Sequence, residues 1–549
     1  MSAAVIGPGD TMTSASVGRL RRSFIAGVSR GDGENARGRL SAGRAYATMR
    51  RVPRRLMTSL LPRRCSDRTR PAPWRGMAAL LAASLGIACH TTSALEEAVA
   101  PATVIYAAPD GRPDGDGSTE RPLDLATALS ATSAIPPGAT LWLRGGTYNV
   151  ADLTSTLSGT AGAPITVQSV PGEHAILDGA TAINTVLTVQ GAWTVFRDFE
   201  VTSSDLSRKG SQRTRAAGVD VHGANVKLVN LVVHDLANGV GLWSDAVDTE
   251  VYGNIIYYNG WIGPDRPHGH GIYTQNKTGV RRVTDNIVFA QFGMGIHAYA
   301  SEQGYLDDMH FEGNVVANNG IPNGDFNILV GGHRLAQRPV LRSNFTYDNP
   351  GAGNHVGFAA GCVDVELRDN YFAMVSGGYA VQLVDCSGVV EGNVIVGGTR
   401  GVTAGRIVPH SELAALHPAN EFVPERPSAT RTFVRPNRYD QGRAHVIVYN
   451  WERLPAVQVD LTAAAVPVGG AYQIRDVRNL SGAPLVSGRY AGGTVTLPLE
   501  GLIAAPIVGW QPTPPHTAPE FGVFLVTSRP APRSRIGTMV SRMMAAFGL

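Results

Sequence analysis

The middle of the chain repeats a short pattern, and this repeat most constrains the fold. Between about 195 and 400, an Asn followed by apolar residues recurs every 23 to 32 residues, at Asn230, Asn254, Asn286, Asn314, Asn344, Asn370 and Asn393. A second short strand recurs out of phase with it, beginning at Gly218, Gly241, Gly271, Gly295, Asn327, Val356 and Ala380. Strands of about four residues with glycines between them and no helical periodicity are typical of a β-solenoid. The repeat therefore predicts a parallel β-helix.

Stacked coils explain the recurring Asn. Coils of a β-helix lie about 4.8 Å apart, so an Asn at one turn can bond its own backbone and the copy above it. Cys362 and Cys386 precede Asn370 and Asn393 by eight and seven residues, which places them at near-equivalent points on neighbouring coils. A disulfide and a stack of buried thiols both fit this spacing.

Charge divides the chain into a basic start and a mildly acidic remainder. Residues 1–76 carry 16 Arg and 4 acidic residues, whereas the rest carries 32 basic and 40 acidic residues, so the net charge of +4 separates into +12 and −8. An acidic body does not favour nucleic acid as a partner. Glycine at 64 of 549 residues favours β structure rich in turns.

The segment 1–94 is predicted to be a leader with a signal peptide. Its apolar run, residues 77–88, follows several arginines and is too short for a bilayer span of about 20 residues. Cleavage after Ala94 or lipidation of Cys89 would follow, and we expect an exported protein, periplasmic or extracellular, without a transmembrane span.

Four stretches of sequence carry a family resemblance. They are Val104-Ile-Tyr-Ala-Ala-Pro-Asp-Gly111, Pro137-Gly-Ala-Thr-Leu-Trp-Leu-Arg-Gly-Gly-Thr-Tyr148, Ala163-Pro-Ile-Thr-Val-Gln-Ser-Val-Pro-Gly172 and Ile176-Leu-Asp-Gly179. These resemble the N-terminal cap and first coils of right-handed parallel β-helix proteins of the pectate-lyase-like superfamily, nearest to the chondroitinase B and alginate lyase branch. The resemblance covers about 103–400 and implies the fold. The superfamily includes lyases, hydrolases, epimerases and non-catalytic adhesins, so the activity stays open. Gly269-His270-Gly271 matches the polygalacturonase Gly-His-Gly, but the Asn-Thr-Asp of those enzymes is missing.

Strand alternation predicts one chemically rich face. If aliphatic side chains point inward, four consecutive coils turn polar and aromatic residues outward. These are Asp220 and His222, Trp243 and Asp245, Tyr273 and Gln275, and His297 and Tyr299. The next three coils carry mostly small or apolar residues in the same rows. Trp and Tyr stack on sugars, and Asp, His and Gln bond hydroxyls and carboxylates. A solvated sheet face without a ligand is the alternative.

Two long loops flank this face. The loop 203–217 contains Arg208, Lys209, Arg213 and Arg215, and the loop 259–270 contains Trp261, Asp265, Arg266, His268 and His270. Loops of this length in a tight repeat are often functional. Their cations would meet the carboxylates of an acidic polysaccharide, although a solvated loop also fits the arginines.

Elimination across a uronic acid requires that the C5 carboxylate be neutralised, the C5 proton removed and the leaving oxygen protonated. We expect His270 or His297 as base and Tyr273 or Tyr299 as acid. Arg266 or Lys277 would neutralise the carboxylate, and carboxylates holding a Ca²⁺ ion are an alternative. Substrate binding is assigned to Asp220, His222, Trp243, Asp245, Gln275, Arg213 and Arg215. A uronate C5-epimerase needs the same groups.

Two rival functions remain. A glycoside hydrolase needs two carboxylates about 5–9.5 Å apart, for which Asp220 and Asp245 are candidates. A non-catalytic glycan-binding or surface-structural β-helix needs none. His268-Gly-His270 lacks an assured third ligand, so no metal site is predicted.

The domain boundaries follow from these patterns: a leader at 1–94, the β-helix at 95–400, a linker or coil cap at 401–431, a small β-sandwich at 432–528 and a basic tail at 529–549. The sandwich is expected to cap the helix or to bind sugar. A monomer acting on a polysaccharide is expected.

Overall fold

The computed structural model describes residues 103–130, 135–322, 324–349, 351, 353–403 and 406–529. The predicted leader 1–94 with Cys89, and the tail beyond 529, lie outside the described residues. The described part is almost entirely β structure. Within it, no helix is long and apolar enough to cross a membrane.

Three parallel sheets form a solenoid of about ten coils, which confirms the predicted parallel β-helix. The first sheet contains Val104–Arg112, Thr140–Leu143, Ile165–Ser169, Thr194–Arg197, Lys227–Val229, Glu250–Tyr252, Arg281–Thr284, Met309–Glu312, Ala336–Gln337, Val340–Arg342, Cys362–Arg368 and Cys386–Glu391. The second sheet contains Leu153–Ser155, Thr185–Val189, Ala217–Val221, Val240–Leu242, Ile272–Thr274, Ile296–Ala300, Ile328–Gly332, Asn354–Ala359, Val381–Val384, Thr399–Thr403 and the antiparallel Arg406–Val408. The third sheet contains Gly146–Asn149, Ala175–Asp178, Glu200–Thr202, Val232–His234, Ile255–Tyr257, Ile287–Phe289, Val315–Ala317, Phe345–Tyr347, Tyr371–Ala373, Val394–Val396 and Glu421–Val423.

Each coil passes through the second, first and third sheets in turn, and inward-pointing side chains fill the interior. Val219, Leu242, Ile272 and Ile296 are fully buried on four successive coils of the second sheet. Because side chains alternate along a strand, their neighbours point outward on the same coils. A short helix, Leu125–Leu129, is capped by the side chain of Asp124 and packs at the start of the solenoid.

The Asn ladder exists, but it begins one coil later than the sequence predicts. From Asn254 onward, each Asn side chain donates to the Oδ1 of the next, and Asn420 ends the series. Asn230 lies one residue before the ladder position, since it is the backbone N–H of Leu231 that bonds Asn254. Asn230 bonds Asn437 and Asp440 instead. A ladder of side-chain amides satisfies turn groups that stacking removes from water.

A second ladder was not predicted. Asn259, Gln291, Asn319 and Asn327 bond one another in series at the turn between the third and second sheets. Its members differ in residue type and spacing, so the sequence repeat does not reveal it.

The C-terminal region forms two antiparallel sheets that enclose a separate apolar core. The five-stranded sheet contains Arg431–Pro436, Ala444–Tyr449, Ala471–Asp476, Val486–Arg489 and Phe521–Arg529, and the two-stranded sheet contains Ala456–Asp460 and Thr494–Pro498. The predicted cap segment contains the helix His410–Leu416 and the strand Glu421–Val423, which pairs with Val394–Val396 as the last strand of the third sheet. Two one-turn helices, Thr462–Ala464 and Val477–Asn479, connect strands.

This C-terminal region packs against the third sheet. The two share an apolar cluster that includes Phe289, Tyr347 and Phe521, and the Tyr449 hydroxyl donates to the backbone oxygen of Thr346 at 2.9 Å. The packing covers the outer side of the third sheet, whereas side chains on the outer side of the second sheet keep some exposure, as Trp243 does at 36%.

The two cysteines left open by the sequence form a disulfide. Cys362 and Cys386 are paired in register on adjacent strands of the first sheet, with a Cα–Cα distance of 4.4 Å.

Candidate active site

Backbone register sorts the outer side of the second sheet into two rows. The first row runs through Thr188, Asp220, Gly241, Tyr273, His297, Leu329, His355 and Gln382. The strand alternation places His222, Trp243, Gln275 and Tyr299 in the second row, two residues further along each strand. Thus most of the predicted face is brought together by the fold.

The rows differ from the prediction at Trp243. The sequence aligned Gly241 with Gly271, whereas the structure pairs Gly241 with Tyr273. Trp243 therefore belongs to the row of His222 and not to that of Asp220. In Gly239-Val240-Gly241-Leu242, shifting the register by two residues keeps aliphatic residues inward, so alternation alone cannot choose between the two registers.

A hydrogen-bonded histidine pair occupies the centre of the face. The backbone N–H of Met294 donates to Nδ1 of His270 at 3.2 Å, and Nε2 of His270 lies 3.1 Å from Nδ1 of His297. Because His270 Nδ1 accepts, a neutral His270 carries its proton on Nε2 and donates it to His297. His297 then carries its own proton on Nε2.

Burial keeps both rings neutral. It lowers the pKa of His297 to about 3, and burial with the neighbouring His297 holds the pKa of His270 well below its usual range. A neutral His297 with a proton on Nε2 is a hydrogen-bond donor. This arrangement does not suit either ring to the role of base that the sequence predicts for them, and His270 becomes a positioning residue.

Two tyrosines lie beside this pair. The Tyr273 hydroxyl accepts a hydrogen bond from Gln275 at 2.9 Å and lies 3.4 Å from the backbone oxygen of Tyr299. The Tyr299 ring is 5.1 Å from that of His297. Burial raises the pKa of both phenols, so each is protonated at neutral pH and available as a proton donor.

A hairpin from the loop 259–270 forms one wall of the site. Its strands, Trp261–Ile262 and Pro267–His268, pair antiparallel. The rings of Trp261 and His268 stack at 4.5 Å, and Nε2 of His268 lies 2.9 Å from Oδ1 of Asp265. An acceptor on Nε2 places the proton of a neutral His268 there and leaves the Nδ1 lone pair available, as a general base requires.

The hairpin and the sheet enclose a cavity of about 260 Å³. It is lined by Asn238, Trp243, Trp261, His268, Gly269, His270 and Tyr273. Two tryptophans provide aromatic walls for a sugar ring. The Oδ1 of Asn238 accepts from the backbone of His270 at 2.9 Å, which leaves its Nδ2 as a donor. His268, Trp261 and Asn238 were absent from the predicted site residues, although the length of the loop 259–270, which contains Trp261 and His268, had marked that loop as functional.

A buried arginine donates hydrogen bonds to the backbone at Trp243. Nη2 of Arg281, which is fully buried, donates to the backbone oxygens of Trp243 at 2.8 Å and Gln275 at 3.0 Å. Burial lowers the pKa of Arg281 to about 10. Its neighbour in sequence, Arg282, is exposed and has no such position.

The predicted acidic pair is divided between separate partners. Asp245 lies 3.0 Å from Nδ1 of His222, and Asp220 accepts from the Thr185 hydroxyl at 2.8 Å. The His222 and Trp243 rings stack at 6.1 Å. These groups extend the face beyond the cavity at its N-terminal end.

Of the predicted cations, Arg213, Arg215 and Lys277 do not lie at the histidines, whereas, in addition to burial, the charge of Arg266 is close enough to lower the pKa of both His270 and His297. Arg215 is buried and donates to the backbone oxygen of Asp235, while Arg213 is exposed and donates to that of Ile183. The expectation that Arg215 binds substrate is therefore wrong, because the Arg215 side chain is buried against the turn at Asp235 and does not reach the outer face. Lys277 lies over the ring of Tyr305 at 4.8 Å.

Arg266 lies on the hairpin but lines a different cavity from the histidines, described below.

Two further outward residues were missed. His355 continues the first row opposite Leu329, and a bulge at Gly357, with φ of 83°, then shifts the strand and brings Phe358 opposite Gly331. Among the described residues, no three His, Cys, Asp or Glu side chains are grouped so that they could hold a metal ion.

Comparison with known families agrees with this architecture. A family model described as Pel9A-like, right-handed β-helix region, matches residues 105–353. Over these residues the chain matches the Pel9A-like family of right-handed β-helices, which is similar to the pectate-lyase-like architecture. This confirms the resemblance to right-handed parallel β-helix proteins that was drawn from the sequence. The β-helix is thus polysaccharide-lyase-like.

One curated relative shares a short segment with this β-helix protein. Pectate lyase PEL9 of Emericella nidulans is 40% identical over 77 residues, which cover 14% of this chain and 18% of the relative. The chain thus spans less than a fifth of the length of that relative.

Several solved structures are similar to this chain over part of its length. Pectate lyase Pel9A is 19% identical, with a TM-score of 0.36, over 54% of this chain and 79% of its own. The alginate lyase of Paenibacillus sp. str. FPU-7 is 18% identical, with a TM-score of 0.32, over 59% and 96% of the two chains. The A-module of mannuronan C-5 epimerase AlgE4 of Azotobacter vinelandii is 13% identical, with a TM-score of 0.31, over 48% and 80%.

Proposed function

We propose that this protein is an exported enzyme that abstracts the C5 proton of a uronate in an acidic polysaccharide, as a polysaccharide lyase or a C5-epimerase. The observation that carries the proposal is the cavity of about 260 Å³ on a polysaccharide-lyase-like β-helix, which is lined by a carboxylate-paired His268 together with His270, Tyr273 and two tryptophans.

The groups divide the reaction among themselves. Nδ1 of His268 takes the C5 proton, and Asp265 stabilises the imidazolium that forms. His297 and Asn238 supply N–H donors for the uronate carboxylate, where negative charge develops. A neutral imidazole can fill this role because its Nε2–H donates a hydrogen bond to the developing charge.

In elimination, the electron pair of the C5–H bond forms the C4–C5 double bond and the C4–O4 bond breaks. The Tyr273 phenol, protonated at neutral pH, gives its proton to the leaving O4. In epimerisation, the C4–O4 bond stays intact and the Tyr273 phenol gives its proton to the opposite face of C5. Trp243 and Trp261 hold the sugar ring in either case.

The test uses the purified protein with alginate, pectate, hyaluronan and chondroitin sulfate in D₂O, with and without added Ca²⁺. Elimination gives an unsaturated uronate that absorbs in the ultraviolet, and epimerisation gives deuterium at C5 without that absorbance. We expect one of the two signals on at least one substrate. New reducing ends without either signal would indicate a hydrolase, and no change on any substrate would indicate a glycan-binding protein; each result would overturn the proposal.

Variants connect the activity to the cavity. His268→Ala should reduce turnover about 100-fold or more, the range in which a general base contributes. His310→Ala is the matched control, because His310 is a half-buried histidine on the first sheet. Equal activity in both variants would remove His268 from the reaction. Export is part of the proposal and is tested by locating the protein in cell fractions.

A further inference from the structure

A second and larger cavity lies on the other side of the hairpin. Its volume is about 840 Å³, within the range of small-molecule sites. The hairpin contributes Ile262 and residues 263–267 on one side, and the C-terminal region contributes Arg478, Trp510 and residues 512–517 on the other. Because side chains alternate along the hairpin strands, Trp261 and His268 face the first cavity while Ile262 and Pro267 face this one.

The cavity walls carry excess positive charge. Lys209, Arg266 and Arg478 line it, and Asp265 is the one acidic residue among the lining side chains. That carboxylate is engaged by His268 at 2.9 Å and lies 3.7 Å from Arg266. An anion entering the cavity would therefore meet cations that are only partly compensated.

Arg478 is the most buried of these cations. It is 6% exposed, and its Nε and Nη2 have no hydrogen-bond partner among the residues that the structure describes. Burial lowers the pKa of Arg478, and Tyr258 and Asp476 offset part of that cost. Asp476 is shared, since its Oδ2 lies 3.0 Å from Nε2 of His516. A desolvated guanidinium with a shared counter-charge gains from a nearby anion.

An aromatic wall accompanies the charge. Trp510 is partly exposed, its ring packs edge-on against Phe292 at 5.2 Å, and Nζ of Lys209 lies 5.1 Å from its centre. Planar cations suit carboxylates, and an indole face suits the C–H face of a sugar ring. Together they fit a sugar that carries a carboxylate better than they fit a bare inorganic anion.

We propose that this cavity is a second acidic-saccharide site, which binds a uronate-containing oligosaccharide between the hairpin and the C-terminal region. The inference rests on the proposed function for the identity of the sugar, because an acidic polysaccharide is the ligand there. The hairpin is the wall common to both sites, with the reaction on one side and retention of the acidic chain on the other.

The test measures binding of tri-galacturonate and tri-mannuronate to the full protein by calorimetry, with the methyl esters and inorganic phosphate as separate probes. Lys209→Gln and Trp510→Ala report on the second cavity, and Trp243→Ala reports on the first. Lys227→Gln is the matched control, because Lys227 also lies over an aromatic ring, that of Tyr439 at 5.4 Å, on another part of the molecule.

For at least one acid oligosaccharide we expect two binding sites, one weakened about tenfold by Lys209→Gln and by Trp510→Ala and the other by Trp243→Ala. The methyl esters should lose the site that depends on Lys209. Affinity unchanged in Lys209→Gln, or phosphate binding as tightly as the acid sugar, would overturn the second site. If the parent protein instead shows the Lys209-dependent site but no site that depends on Trp243, the result would count against the proposed function. The two failures are therefore distinguishable. Lys209 is exposed, so its variant tests the proposal even if Trp510→Ala fails to fold.

Discussion

Nε2 of His270 lies 3.1 Å from Nδ1 of His297 on the next coil, and the backbone N–H of Met294 supplies a donor to the other nitrogen of His270. This short chain of donors has one direction, since a backbone N–H cannot accept. It converts two histidines that look like bases in the sequence into a positioning residue and an outward donor.

The first prediction separates these roles. His297→Ala should lower turnover on the active substrate about 100-fold, the usual cost of losing a donor aimed at developing charge. His270→Ala should lower it too, whereas His270→Gln should restore part of it, because a carboxamide can accept from Met294 and donate to His297. Steady-state rates with thermal melts check this. If His270→Gln is as inactive as His270→Ala while both fold, the positioning role is wrong.

A second prediction concerns the support under Trp243. Arg281→Met removes the guanidinium donor from the backbone oxygens of Trp243 and Gln275. The Trp243 oxygen keeps the backbone N–H of Ala246 at 3.1 Å, whereas that of Gln275 loses its side-chain donor, and an unpaired buried acceptor costs about 1–3 kcal/mol. We expect a lower free energy of unfolding in urea and weaker saccharide binding. Arg282→Met, which changes the exposed neighbour, should alter neither. A melt of Arg281→Met identical to that of the parent would contradict the prediction.

A third prediction follows from the buried His234. Burial by itself lowers its pKa, but hydrogen bonds and attraction from Asp235 and Glu200 outweigh burial and raise the pKa to about 9. A raised folded pKa stabilises the protein fully below the unfolded pKa of about 6.5, and this stabilisation is lost as the pH rises from there through 9.

The size of this effect is of the order of 3 kcal/mol. His234→Gln should therefore be much less stable than the parent at pH 6, and the difference should narrow by that amount towards pH 10. Urea unfolding across this pH range measures it. His333→Gln, at an exposed histidine, is the control and should show no such narrowing. A gap between parent and His234→Gln that is constant with pH would exclude the linkage.

A fourth prediction concerns the end of the solenoid. The disulfide between Cys362 and Cys386 closes a loop of 24 residues, and cross-links of this span contribute about 3 kcal/mol. The double variant Cys362→Ala/Cys386→Ala should unfold at lower urea than the oxidised parent. A reductant should destabilise the parent and leave the double variant unchanged. If reductant destabilised both proteins equally, the loss of stability could not be assigned to the Cys362–Cys386 disulfide.

The sequence located much of the site but could not align it. Four coils of polar and aromatic residues were assigned to one face, and the structure places them there. The residue predicted to lie beside Asp220 on the next coil was wrong, however: it is Gly241 and not Trp243. A shift of two residues at this strand leaves the inward alternation unchanged, so the sequence could not choose between them. Asn230 was misplaced by one residue for a related reason, since the neighbouring position on the ladder is Leu231.

The sequence by itself determined the coiled architecture, because a repeat of short apolar strands and Asn turns can bury its side chains only by stacking. Only the tertiary structure decided the chemistry. The pairing of His268 with Asp265, the donor chain through His270 and the inward turn of Arg215 each depend on contacts that local spacing leaves open. Spacing sets which residues share a coil, whereas protonation and charge depend on which neighbour each side chain meets after the coils and the C-terminal region have packed.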